Sequence, residues 1–303
     1  MNKFRNLSLV FTFLFAMFLM TTDAYSQRTI GTKTPIKKSR FEGPTDIQSP
    51  NHCYLYPPGV DACQLVEDAN FQDKDGDTPY IEENNNGGNY VIATPHGRFD
   101  EGTRAIVEGI DNNNAMAWRS LSFNGFRREP LYFNVNRPTL LLLNNNPQIP
   151  DYKEEQIDSD AKKVYNCYVD HIKGLVPLNS LEWYVEIHGN AKASRAGFLD
   201  IASQEGMSES DAEDIQEIFQ DALDAENIPL TVAMEHTDED PHFHGTASRE
   251  YGLICVLENA NVPFLHIEIP SAYRKNNQVA NRNKMIDALS SALAQVKAAN
   301  LID

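Results

Sequence analysis

Residues 90–103 read YVIATPHGRFDEGT, an apolar run that turns within four residues into a group of metal-ligand side chains. Residues 90–94 are short and β-branched and follow the polar stretch 84–89, which predicts a buried strand ended by Pro95. His96 then stands just past the carboxyl end of that strand, where open α/β sheets gather their reacting groups. Asp100 and Glu101 follow, and Gly97 and Gly102 let the turn bring a carboxylate back toward the imidazole. One imidazole and one carboxylate make half of a zinc site. The plainer alternative is a strand-ending His beside two solvated turn acids.

A second half lies downstream. His188 follows the strand-like EWYVEI and precedes Gly189, repeating the order of apolar strand, His and Gly. Two strand-end His with Glu101 or Asp100 would supply three protein ligands and leave a fourth position for water, the pattern of a catalytic zinc. Glu186 shares a strand face with His188 and is either a supporting carboxylate or the partner of a surface cation. Glu268 sits inside FLHIEIP, where a carboxylate must be paired, hydrogen-bonded or shifted in pKa; it suits a general base, with an ion pair to Arg274 as the alternative. Arg137, in NVNRP, is suited to a bidentate grip on a substrate carboxylate, with Asn136 beside it, or to an acidic side chain of the protein itself. Arg119, Arg127 and Arg128 are further cations able to polarise a carbonyl. His236, His242 and His244 lie in the polar segment EHTDEDPHFHG, which reads as a mobile flap and not as the primary metal site.

These residues need a scaffold, and the chain supplies one. Helical periodicity runs through Ala161, Val164, Tyr165, Tyr168 and Ile172. It recurs from Ala212 to Leu223, with Ser210 and Glu213 as a capping box, and from Ile286 to Val296. Short apolar runs at 131–135, 139–143, 182–187, 230–234, 253–257 and 264–269 alternate with them as strands, predicting an α/β sheet covered on both faces. Residues 1–26 have Lys3 and Arg5, an apolar core and a small-residue end, a secretory signal peptide. Residues 27–89 are rich in Pro, Asn, Asp and Gly and read as an irregular extension, leaving 90–303 as one catalytic domain. No other stretch is apolar enough to cross a bilayer. A formal net charge of −17 argues against nucleic acid as a partner. Of the four Cys, Cys53 and Cys63 bracket a short loop and are expected to pair, with Cys167 and Cys255 as buried hydrophobes. Asp73, Asp75 and Asp77 resemble the start of a calcium loop but lack its glycine and closing Glu.

Taken in order, PHGRFDEGT, NVNRP, EIHGN and HIEIPSAYR resemble the motifs of the zinc-dependent carboxypeptidase superfamily, nearest to N-formylglutamate amidohydrolases and poly-γ-glutamate hydrolases. The resemblance spans about residues 91–274. It implies a three-layer α/β/α fold with a mixed central sheet and an exported amidohydrolase or metallopeptidase-like enzyme. It further implies zinc ligands His96, Glu101 and His188, a general base at Glu268, and Asn136 and Arg137 as binders of a small acidic or peptide substrate. Phe99 stands where a true carboxypeptidase has its ligand Glu, and Asn134 replaces an expected Asp. Those departures motivate a second expectation, a non-catalytic protein that holds an acidic ligand on the same fold. Calcium-dependent surface adhesion through Asp73, Asp75 and Asp77 is a third.

Overall fold

The computed structural model describes residues 53–56, 59–68, 72–73, 81–97, 100–113, 116–123, 126–128, 131–143, 153–237 and 252–302. Residues 1–26, most of the calcium-like stretch, His242 and His244 lie outside them, as does the side chain of Asp73.

Among the described residues twelve strands are numbered in chain order: β1 Gln72–Asp73, β2 Ile81–Asn85, β3 Tyr90–Thr94, β4 Trp118–Phe123, β5 Phe126–Arg128, β6 Leu131–Phe133, β7 Thr139–Leu143, β8 Lys153–Ile157, β9 Trp183–Asn190, β10 Phe198–Ser203, β11 Thr231–Met234 and β12 Phe264–Pro270. Seven of them form a mixed sheet in the order β11-β10-β12-β9-β3-β4-β2. Its centre, β12-β9-β3-β4, is parallel, so the carboxyl ends of four strands open on the same edge. β10 runs against β12, and β2 runs against β4.

Strand alternation assigns the two faces. In β9, Trp183, Val185 and Ile187 join the cluster formed with the helices α2 Thr103–Asn112, α4 Glu209–Ala225 and α6 Val279–Ala299. Tyr184 faces the opposite side, packed with α3 Ser159–Leu175 and α5 Leu253–Asn259. With a period of two, Glu186 and His188 fall on the Tyr184 face. The architecture is therefore three-layered α/β/α, as the motif order implies. Asp158 starts α3 by accepting the N–H groups of Asp160 (2.7 Å) and Ala161 (3.2 Å).

Several local expectations change. The cap of α4 is Ser208, which accepts the Asp211 N–H at 3.0 Å, two residues before the expected box at Ser210 and Glu213. Residues 253–257 are helical, because an apolar run buried on every side does not by itself distinguish a strand from a helix. Strands β6 and β7 belong to a separate five-stranded antiparallel sheet, β1-β5-β6-β7-β8. The expected extension also contributes structure: helix α1, Ala62–Asp68, and the edge strand β2.

The cysteines pair as Cys53–Cys255 and Cys63–Cys167. This corrects the expected Cys53–Cys63 bridge and the reading of Cys167 and Cys255 as plain hydrophobes. Each bridge ties the segment before β1 to a helix far along the chain, with sequence separations of 202 and 104 residues. Two such bridges fit a protein that folds outside a reducing compartment. No helix of the described residues is long and apolar enough to cross a membrane. In the chain-entropy account, closing a loop of the length between Cys63 and Cys167 stabilises by about 5 kcal/mol. Replacing Cys63 and Cys167 together with Ser is expected to lower the melting temperature by on the order of 10 °C, read by calorimetry. An unchanged melting temperature would remove the bridge from the account.

Candidate metal centre

The site is built where β3, β9 and β12 end. His96 follows β3, and its carbonyl accepts the Asp100 N–H at 2.8 Å. That single helical turn sets residues four apart on one side, so the Asp100 carboxylate returns toward the imidazole. Thr103 locks the turn, its N–H and hydroxyl meeting the Asp100 carbonyl at 3.0 and 2.8 Å. Gly102 has φ +91°, and an added Cβ would lie 1.5 Å from the Arg274 carbonyl oxygen. Gly102→Ala is therefore expected to cost at least about 1 to 3 kcal/mol. It should also displace the Asp100 turn, visible as a lower melting temperature together with weaker zinc uptake; unchanged values of both would refute the constraint.

His188 sits at the end of β9 with 5% of its surface exposed. Its Nδ1 lies 3.6 Å from Asp100 Oδ2, and its ring centroid is 5.2 Å from that of His96. Its other nitrogen, Nε2, lies 3.0 Å from Glu186 Oε2, a charge contact without hydrogen-bond alignment. A separation of 3.6 Å is too long for a direct hydrogen bond. It does suit two ligands of one tetrahedral zinc: bonds of about 2.0 to 2.2 Å put ligand atoms roughly 3.4 Å apart. The pair of Asp100 and His188 thus has the spacing of two ligands of one ion, with the His96 ring beside it.

Behind His188 lies a buried polar network. Glu186 Oε1 accepts the hydroxyls of Tyr184 (3.0 Å) and Tyr168 (3.4 Å), which are themselves 2.6 Å apart. Glu186 Oε2 accepts Asn136 Nδ2 at 3.1 Å and lies 3.1 Å from His266 Nδ1. His266 stacks on His188 with centroids 4.1 Å apart, and its Nε2 is 3.4 Å from Glu268 Oε1. Glu186, His188 and His266 offer three buried ligand atoms within 4.8 Å of one another, a group that itself fits a metal site.

Electrostatics follow from this geometry. Burial, reinforced by the neighbouring His188, lowers the His96 pKa to about 4, so its lone pair is available at neutral pH. Burial opposes a charge on His188, but Glu186 and Asp100 outweigh it and raise that pKa to about 10. The surrounding anions therefore favour a positive charge at this ring. Burial likewise opposes ionisation of Asp100, Glu186 and Glu268, and in each case the surrounding histidines prevail and hold the carboxyl below its usual range.

The expected site residues are distributed unevenly. The His96 ring lies beside that of His188, and Glu268 is the register neighbour of His188. Glu101, expected as a ligand, has its Oε1 on the Asn276 N–H at 3.2 Å and its carbonyl on Arg274 Nη1 at 2.8 Å, while the carboxylate beside His188 is that of Asp100. Asn136 is wholly buried, holding Glu186 as well as standing next to Arg137, whose Nη1 donates to Asn136 Oδ1 at 3.3 Å. The turn that carries both is closed by Asn134 N–H to the Thr139 carbonyl at 2.8 Å. Arg274 donates to the carbonyls of Ile269 and Glu101, not to Glu268. Arg119 is spent on the carbonyls of Gly88 and Leu175; the side chains of Arg127 and Arg128 lie outside the described residues. His236 lies at the end of β11, the opposite sheet edge from His188 because β11 runs against β12 and β9. Sequence reasoning missed His266, although its spacing of two from Glu268 places both on one strand face.

No family model and no curated protein matches the chain. Among solved structures it is similar to an N-formylglutamate amidohydrolase from Ralstonia eutropha at 14% identity, covering 72% of this chain and 99% of that one, with TM-score 0.46. It is similar to a bacteriophage poly-gamma-glutamate hydrolase at 14% identity, covering 80% and 100%, with TM-score 0.41. A carboxypeptidase A from Helicoverpa armigera matches at 11% identity, covering 79% and 72%, with TM-score 0.43.

Proposed function

We propose that this chain is an exported zinc-dependent hydrolase of an amide or peptide bond close to a carboxylate of its substrate. The observation that supports the reading is that His188 stands 3.6 Å from Asp100, beside the ring of His96 and in register with Glu268, on the parallel edge of the sheet. His96, Asp100 and His188 Nδ1 would hold the ion. The alternative ligand group, Glu186 with His266, is committed elsewhere: both Glu186 oxygens already accept hydrogen bonds, and His266 bridges two carboxylates. Glu186 then lies behind His188, its negative charge 3.0 Å from Nε2, and supports the ring from the side away from the ion.

Bound zinc supplies a Lewis acid and a water acidic enough to react near neutral pH. Glu268 takes the proton. Its Oε1 is steadied by His266, and Oε2 has no hydrogen bond among the described residues, so it is the atom that receives the proton and returns it to the leaving amine. Arg137, oriented through Asn136, grips the substrate's carboxylate so that the scissile carbonyl lies at the His96–His188 edge. The signal-like residues 1–26 and the two disulfides support export. The test is elemental analysis of purified protein with hydrolysis assays on N-acyl amino acids and short acidic peptides. Absence of zinc, together with no gain in stability or activity on adding it, would sink the reading.

A further inference from the structure

Five residues before β10's Asp200, and outside the site described so far, stands Arg195. Asp200 is the register partner of Glu268, which is in turn the register partner of His188, so the three form one row across β10, β12 and β9. Leu199 and Ile201 pack into the opposite face, so Asp200 points to the same side as Glu268. With strands about 4.8 Å apart, Asp200 lies on the order of 10 Å from His188. Asp200 is 2% exposed, and Arg195 grips it with Nη2 on Oδ1 and Nε on Oδ2, the latter at 3.2 Å. Asn190, two residues past His188 on the same face, donates to Oδ2 at 3.0 Å. The guanidinium also lies over the Phe198 ring, with Cζ 4.1 Å from the centroid. Two of its nitrogens are occupied, its plane is fixed from edge and face, and Nη1 makes no hydrogen bond among the described residues.

A guanidinium held this way has already lost its rotamer freedom, so a ligand anion gains a charge-assisted bond without the cost of ordering it. In a chain of net charge −17, a fixed cation one strand from Glu268 is a discriminating feature. We propose that Arg195, braced by Asp200 and Asn190, is a specificity residue that binds a second anionic group of the substrate, on the β10 side of the metal row. The inference rests on the hydrolase reading for the position of the reacting bond. It adds to that reading that the preferred substrate carries an acidic side chain besides the carboxylate held by Arg137.

Four peptides separate the possibilities: N-acetyl-Glu-Ala, N-acetyl-Gln-Ala, N-acetyl-Ala-Glu and N-acetyl-Ala-Gln, all with the same terminal carboxylate. Binding is measured by calorimetry on the zinc-loaded protein carrying Glu268→Gln. One Glu peptide is expected to bind about 10- to 100-fold more tightly than its Gln isostere, the range for one hydrogen bond to a charged group. Arg195→Gln should erase that preference, and Arg195→Lys should restore part of it. Because Arg195→Gln leaves a buried carboxylate unpaired, the pair Arg195→Gln with Asp200→Asn is measured too, with melting temperature as the control for folding. Equal affinity for Glu and Gln peptides, or a preference that survives in the folded double variant, overturns the proposal. A preference without turnover by the wild type supports this subsite and counts only against hydrolysis.

Discussion

Glu268→Gln is expected to bind zinc as well as the wild type and to lose hydrolysis by about 10²- to 10⁴-fold, the share a positioned general base contributes. The separation of effects comes from the site's geometry. Glu268 is next to His266 and His188 in the sheet but is not among the groups facing His188 Nδ1, so an isosteric amide leaves His96, Asp100 and His188 in place. It removes the lone pair that accepts the proton. Zinc content by elemental analysis and kcat/KM on the best acyl peptide are the two readouts. Loss of zinc along with activity would make Glu268 a ligand or a structural anion. A wild type without turnover that still binds acidic peptides, as tightly as Glu268→Gln does, would favour the non-catalytic binding protein.

The second large effect separates two adjacent carboxylates. Asp100→Ala is expected to weaken zinc binding by more than about 100-fold, beyond the range typical for loss of a supporting group. Glu101→Ala should keep near wild-type affinity. Asp100 Oδ2 is the oxygen set 3.6 Å from His188 Nδ1, whereas Glu101 meets the backbone N–H of Asn276. The remaining consequence of Glu101→Ala is a modest loss of stability from one partly exposed hydrogen bond, about 1 kcal/mol. Zinc titration with a competing chelator gives both affinities. The reverse outcome, an occupied site in Asp100→Ala and an empty one in Glu101→Ala, would restore the ligand set implied by the motif resemblance.

Local pattern alone determined much of this protein. The order strand, His, Gly at residues 90–97 and again at 183–189 placed two imidazoles at one sheet edge, because strand alternation and the strand-ending turns are short-range properties. The same alternation put a carboxylate in FLHIEIP on the face of that site, and helical periodicity identified the three long helices that cover the sheet. What the tertiary structure decided is which long-range partner each group meets. Four Cys allow three pairings, and only the packing of the 53–68 segment against α3 and α5 selected Cys53–Cys255 and Cys63–Cys167. Asp100 and Glu101 are equivalent by composition. Their surroundings are separated by Arg274 and Asn276, more than 170 residues away, which engage the backbone and side chain of Glu101, while the Asp100 N–H closes its turn on the His96 carbonyl. Arg195 belongs to the same class, since its bond to Asp200 gains meaning only when β10 lies beside β12 and sets that pair in the row of Glu268 and His188. A residue's periodicity is written in its neighbours along the chain. Its partner across the sheet is set by strand order, which no local pattern carries.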